Sequence, residues 1–431
     1  MNRALRVGVI GGGWAGMAAA ATLADAGAGV TVFEASRTLG GRARRVDTDA
    51  GPVDNGLHIL LGAYGETLRL IDRFGGGTGA YCRLPLTLDI GDRFRLRCPP
   101  WPAPLHLLAG LATARGLTWR DRFSAAQFMA AMRKRRYRIR SQGSVTALLD
   151  EFSQTAANRE FLWDPLCVAA LNTPSAQADA QVFLNVLRDG LDGLAGASDM
   201  VLPGVNLSAL FPEPAARHVI DRGGAVRTGC AAVRIDIDAQ GLRIISADAT
   251  AVFDAVICAV DAPRLEPLVT ALPGMQPILE LVRALRFAPI ASVYLQYPPP
   301  TRLPFPMLGL TDGPAQWVFD RGALCGQPGL FGTVTSSATD VDRTSPAALA
   351  ASIHSQLEAR LGRLPQFGWH RLITEKRATF VCSPGLRRPP SHTPVAGLHL
   401  AGDYIDSDYP ATLESAVRSG LECARAILAK P

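Results

Sequence analysis

The chain has 431 residues, about three times the ~150-residue size of an average domain, so it has room for more than one core. Apolar residues make up 48% and charged residues 19%, which excludes disorder, and 42 Gly and 31 Pro without a period exclude collagen-like or low-complexity structure. The net charge of +6 is mild, and only three residues are lysine (Lys134, Lys376, Lys430), so chemistry that needs an amine has few candidates.

Arg6 to Ile10 is a short apolar run suited to a buried parallel strand, and Gly11 to Gly16 reads as a tight turn. Met17 to Ala26 predicts an Ala-rich helix stopped by Gly27, and Val30 to Phe33 a second strand ending on Glu34. The uncharged stretch Val7 to Ala24 also raises a signal peptide or membrane helix, but five glycines inside it, at 8, 11, 12, 13 and 16, fit the turn better. Leu105 to Leu194 reads as mainly helical. Within it, Arg133 to Arg140 is a basic run, read as a solvated helix face or a contact for anionic lipid headgroups. No nucleic-acid motif accompanies it, so nucleic acid is not an expected partner.

Later strands are predicted at 231–237, 241–246, 255–260 and 398–401, with a final helix at about 411–428. From about 285 to 377 the pattern alternates as in antiparallel strands, at 290–297, 316–319, 330–334 and 368–374. One helix interrupts them, with Ser345 as N-cap, Pro346 at the first helical position and an end at Leu361. The eight cysteines lie apart with no C-x-x-C pair, so neither a metal site nor a disulfide framework is expected, and the location follows as cytoplasmic.

Gly11-x-Gly13-x-x-Gly16 between a strand and a helix is the context that a dinucleotide fingerprint requires. Gly11 permits the turn, Gly13 lets backbone approach a pyrophosphate, and Gly16 lets helix and strand pack closely. The helix start at Trp14 and Ala15 offers unpaired N–H groups to phosphate, and Glu34, followed by Ala35, can accept the ribose hydroxyls. Gly40-Gly41-Arg42 then supplies a loop over the diphosphate with a cation to neutralise it. Near the other end, Ala401-Gly402-Asp403 follows a strand and precedes a helix, where Gly402 can offer an N–H to phosphate and Asp403 can accept a ribityl hydroxyl. A long cofactor held from both ends of the chain is what a flavin dinucleotide needs.

These motifs, with Arg222-Gly-Gly-Ala-Val226, Val233 and the segment Pro410 to Val417, resemble the flavin-containing amine oxidase and phytoene desaturase superfamily over nearly the whole chain. Within it the chain is most similar to the squalene-associated group, the hydroxysqualene dehydroxylases of bacterial hopanoid synthesis. That likeness rests on Asp54 to Tyr64, Pro104 to Leu108, Trp163 to Cys167, Leu171 to Pro174 and Glu375 to Phe380. The resemblance implies an α/β fold: a Rossmann-like FAD-binding domain of the amine oxidase type with an inserted α+β substrate domain. The expected division is 1–80, 195–275 and 385–431 for the first, and 81–194 with 276–384 for the second.

It also implies non-covalent FAD, with Gly56, Leu57 and His58 along the isoalloxazine, Thr412 and Leu413 presenting backbone to its pyrimidine edge, and Val233 pairing with adenine. The group pattern has Gln where Leu57 stands. His58 is read either as a proton donor or as a structural histidine, and Asp54 either orients it or caps a turn. Tyr64 and Tyr409 either face substrate or pack. Amine oxidases carry a lysine on a strand that corresponds to Ala288 to Leu295 here, where none stands; Lys376 is the alternative, as a catalytic amine or a salt-bridged strand residue. The implied reaction is reductive removal of hydroxyl from a C30 isoprenoid, with desaturation of phytoene-like polyenes or another flavin oxidation as the alternative. The implied partners are that apolar substrate, an unidentified electron donor and weak peripheral contact with the inner face of the cell membrane, through Trp101 to Leu111 and the basic run.

Overall fold

The computed structural model describes residues 5–429 apart from 50, 76, 78, 248 and 339–343. Its central element is a five-stranded parallel sheet in the order Ala225–Thr228, Gly29–Glu34, Arg6–Ile10, Ala255–Cys258, Leu398–Leu400. The strands come from the start, middle and end of the chain. Val7, Val9, Val32, Val256 and Ile257 are wholly buried, as strands covered on both faces must be.

One face carries the helix Trp14–Asp25, which ends where Gly27 turns left-handed at φ 84°. This helix packs against Leu413–Leu428 so closely that a Cβ on Gly420 would stand 2.1 Å from the Ala15 carbonyl oxygen. The other face is covered by the antiparallel meander Ala232–Asp238, Gly241–Ser246, Thr250–Phe253. Gly8 makes room for it, since a Cβ there would meet Ile244 at 2.5 Å.

A second five-stranded sheet is antiparallel, ordered Met307–Gly309, Trp317–Asp320, Leu330–Ser336, Phe287–Gln296, Trp369–Phe380. The helix Pro346–Leu361 covers it, with Ser345 accepting from the Ala348 N–H as the sequence predicts. Helices Leu105–Thr113, Trp119–Lys134, Val145–Glu151, Asp164–Leu171 and Ala180–Leu191 form the helical lobe. Met200–Pro203 pairs with both Leu60–Leu61 and Tyr81–Leu84, so the expected division at 80/81 separates two strands of one small sheet. Among the described residues no helix is long and apolar enough to cross a membrane.

The basic run is not a helix face. The helix stops at Lys134, and Arg136 and Tyr137 both take left-handed conformations (φ 50° and 56°), which turns Tyr137 into the core. Arg133 pairs with Asp192, while Arg135 pairs with Glu151 at 2.9 Å and lies over the Phe152 ring. The hydrophobic demand of Tyr137 overrides the helical pattern of the charges around it.

Candidate dinucleotide site

The Gly11–Gly16 turn sits at the C-terminal end of the central strand. Gly11 has φ 108°, where a side chain is strained, and a Cβ on Gly16 would lie 1.9 Å from the Gly11 carbonyl oxygen. Both glycines are therefore demanded by the backbone alone. Gly13 is different: a Cβ there would meet nothing closer than Gly41 Cα at 3.7 Å, so the protein itself does not need glycine at this position. What glycine keeps open is the space outside the turn. Gly40 N–H donates to the Gly12 carbonyl at 2.9 Å, which lays the Gly40–Gly41 loop over the turn. No side chain caps the helix that starts at Trp14 and no acid stands in its first turn, so the early N–H groups remain available to an anion.

Glu34 ends the second strand, where its carboxylate accepts from Gly12 N–H at 2.6 Å and Ser36 N–H at 2.7 Å. Each oxygen keeps acceptor capacity toward the exposed side, beside exposed Ala35. Trp14 is a core residue whose indole donates to the Ala43 carbonyl at 3.1 Å, and Ala15 is buried against the last helix. Val233 is the residue skipped by a bulge, since the ladder pairs Ala232 with Ser246 and Arg234 with Ile245; its backbone is left out of the ladder and its side chain is exposed. An open glycine turn, an uncapped helix start and a carboxylate at the strand end fit a dinucleotide such as FAD.

Arg42 and Asp403, predicted as separate cofactor ligands, bond to each other at 2.5 Å. Arg42 also donates to the Ala378 carbonyl at 2.7 Å and lies 4.0 Å from Asp261. Burial works against its charge, but Asp403, Asp261 and Glu375 outweigh that and hold it above the usual arginine range. The expectation for Gly402 also needs correction: its N–H donates to Ser419 Oγ at 2.8 Å rather than pointing outward. Thr412 caps the last helix through Ser415 N–H, which leaves the N–H of Leu413, at the first helical position, without an intrahelical acceptor.

The loop from Asn55 to Ile59 carries Gly56, Leu57 and His58. His58 is half-buried, with Nδ1 3.0 Å from the Gly56 carbonyl, so the neutral ring carries its proton on Nδ1 and presents Nε2 as an acceptor. Burial lowers its pKa below the ordinary 6.5, helped by Arg42 and opposed by the Gly56 contact and Asp54. Leu57 packs among Val53, Tyr294 and Leu330 and lies against Gly332, where a Cβ would meet it at 2.6 Å.

Asp54 neither touches His58 through a hydrogen bond nor caps a turn in its own loop. It is 1% exposed, accepts from Leu207 N–H at 2.8 Å and pairs with Arg321, 4% exposed, at 2.8 Å. Tyr64 is half-buried. Tyr409 donates to Asp189 at 2.9 Å under the Arg418 guanidinium, and burial and Asp189 push its phenol up to about 12. Lys376 is exposed, in the stretch of strand opposite the register shift between Ala288 and Ile290. The structure thus brings the turn, Glu34, Gly41, Arg42 and Asp403 together but puts Tyr409 against the helical lobe and Lys376 at the surface.

Asn55, Asp261, Arg321 and Glu414 were not singled out from the sequence. Asn55 donates to the Arg42 carbonyl at 2.9 Å and to Glu375 at 3.1 Å, and fully buried Glu414 caps the helix Gly65–Phe74 by accepting from Thr67 N–H at 2.9 Å. Asn55 and Glu414 lie inside stretches that carry the family resemblance; Arg321 has no local signal.

A parallel sheet with a glycine-rich turn at its C-terminal edge, closed over by chain segments distant in sequence, defines a dinucleotide-binding protein. The chain belongs to the family of flavin containing amine oxidoreductases, whose model matches residues 14–428. It is 28% identical to a hydroxysqualene dehydroxylase of Rhodopseudomonas palustris over 98% of both chains. It is also 27% identical to a 15-cis-phytoene desaturase of Synechococcus elongatus, over 99% of this chain and 96% of that one. The fold matches the crystal structure of an oxidoreductase from Methanosarcina mazei with a TM-score of 0.73 at 16% identity, over 98% of this chain and 100% of the other.

Proposed function

We propose that this flavin-dependent oxidoreductase removes the hydroxyl of hydroxysqualene reductively to give squalene, with non-covalent FAD held by the Gly11–Gly16 turn, Glu34, Gly41 and the start of the last helix. The observation that supports this reading is convergence. Stretches that carry the dehydroxylase resemblance, far apart in sequence, hydrogen-bond to one another: Asn55 to Glu375 at 3.1 Å, and Asn172 to Thr379 at 3.0 Å.

Bound FAD supplies a hydride when reduced. The chain's own residues do the rest. Leu57 and the apolar helical lobe exclude water from the reacting carbon, which a cationic intermediate requires. His58, next to Leu57, would hydrogen-bond the substrate hydroxyl through Nε2; as the imidazolium, carrying a proton taken up from solvent, it gives that proton to the departing oxygen, which leaves as water. Arg42, tied to Asp403 and Asp261, holds the loop over the diphosphate rather than contributing a free cation.

The desaturase reading is kept because the identity to the phytoene desaturase is almost the same as that to the dehydroxylase. The two differ in the direction of electron flow. Under anaerobic conditions in D2O, with chemically reduced FAD whose exchangeable N5 position carries deuterium, the dehydroxylase reading predicts squalene labelled at the former carbinol carbon. Unlabelled squalene, or conversion of phytoene with oxidised FAD and none of hydroxysqualene, refutes it.

A further inference from the structure

The helical lobe carries an apolar face turned outward. Leu105 and Leu108, 54% and 45% exposed, lie one turn apart on the helix Leu105–Thr113, and Trp101, 55% exposed, stands in the segment before it. Trp119 and Phe123, one turn apart on the next helix, are 75% and 63% exposed. The two helices are fixed side by side: Arg122 donates to the Ala112 and Ala114 carbonyls at 2.6 Å each and stacks 4.6 Å from the Trp119 ring. Scattered exposed apolar residues need no explanation, but four large ones on two adjoining helices, with Trp101 just before the first, form a patch.

The stretch of chain that carries most of the patch contributes charges of one sign, and Asp121, between Trp119 and Phe123, is buried as part of its helix cap. From Arg93 to Arg120 the sequence contains no Asp or Glu. Arg97, Arg115 and Arg120 have no ion pair among the described residues, and Arg97 stacks on half-exposed Phe305 at 4.8 Å. Beneath the patch, His106 is buried with neither ring nitrogen in a hydrogen bond of normal geometry, and burial lowers its pKa, so it adds no charge to the face. Apolar side chains ringed by unpaired arginines match the interfacial zone of an anionic bilayer, where rings and aliphatic groups enter the acyl boundary while guanidinium groups reach headgroups.

We propose that this face, centred on Trp119 and Phe123 and rimmed by Arg97, Arg115 and Arg120, docks the protein on anionic lipid without crossing it. It is a different set of charges from the Arg133 to Arg140 run, in which Arg133 and Arg135 are neutralised by Asp192 and Glu151. The proposal holds whichever isoprenoid the site takes.

The test is co-sedimentation of the FAD-loaded protein with vesicles of phosphatidylcholine alone and with added phosphatidylglycerol. Wild type should bind the anionic vesicles, and brominated lipid should quench part of its tryptophan emission. W119S/F123S, changed only at exposed positions, should lose at least ten-fold in partitioning and the quenching with it, while keeping its flavin and circular dichroism. R115Q/R120Q should lose about five-fold per charge, the equivalent of about 1 kcal/mol each, with correspondingly less salt sensitivity. Absence of vesicle binding, or binding unchanged by W119S/F123S, overturns the proposal. So does a self-association in solution that those substitutions abolish, since the face would then be a protein interface.

Discussion

Removing the Arg321 side chain tests whether the Asp54 ion pair joins the parallel-sheet unit to the antiparallel one. In Arg321→Leu the Asp54 carboxylate, 1% exposed, keeps only the Leu207 N–H and loses the guanidinium 2.8 Å away. Breaking one side of a buried pair typically costs about 3–5 kcal/mol, because the remaining charge is left uncompensated. Asp54→Leu strands the cation instead, with Gln327 at 2.9 Å as its remaining acceptor. The double variant removes both charges and should recover much of the loss, so that the cycle shows a coupling of about 2–3 kcal/mol. Urea unfolding followed by both circular dichroism and tryptophan fluorescence measures it, with coincident transitions as the check on two-state behaviour. A single-variant cost below about 1 kcal/mol, or additivity within about 0.5 kcal/mol, refutes the argument.

Gly16→Ala should impair folding, because its Cβ meets a backbone oxygen at 1.9 Å, whereas Gly13→Ala should fold normally and bind FAD poorly; thermal melts of the flavin-free proteins and flavin titrations separate the two. Since burial lowers the His58 pKa, the folded state binds fewer protons than the unfolded state between the lowered value and about 6.5. Stability should therefore fall as pH drops through that window, and His58→Gln should flatten the fall; a slope identical to wild type in paired denaturation curves would remove the claim. If His58 delivers the proton, its replacement should slow product formation by ~10²–10⁴ in a flavin-replete variant. Lys376→Ala, altering an exposed side chain, should leave the rate within about two-fold, and a large loss would return the amine to the mechanism.

Four strands of the parallel sheet, the fingerprint turn and the helix Pro346–Leu361 were legible because each has a local cause: apolar runs, glycine conformations, a serine cap; the edge strand Ala225–Thr228, half exposed and without an apolar run, was not read as one. The strand Tyr81–Leu84 was not legible either, since its partner Met200–Pro203 is distant in sequence, whereas the hairpin Thr87–Ile90 with Phe94–Arg97 carried a local signal that was passed over: a three-residue loop with Gly91 at φ 62° and alternation in Phe94–Arg97. The same distinction runs through the site. Gly11, Gly16 and Glu34 announce themselves by spacing. Arg42 and Asp403 each looked like a ligand alone, and only the fold shows that they satisfy one another. Arg321 had no signal, because an arginine acquires meaning as a buried cation only when an aspartate distant in sequence is brought beside it.

The Arg42–Asp403 bond spans 361 positions, and the sheet takes its last strand from Leu398–Leu400. During synthesis the glycine turn emerges long before the carboxylate that steadies its covering loop, which follows Arg42 by 361 residues. Until then the strand Ala255–Cys258 has an unpaired edge and the nascent chain lacks a finished binding surface. A ribosome stalled before residue 398 would thus release a polypeptide with the whole fingerprint and no completed cradle. Cofactor capture then reports on synthesis through Asp403, and the chain short of that point is the species for which a chaperone matters most.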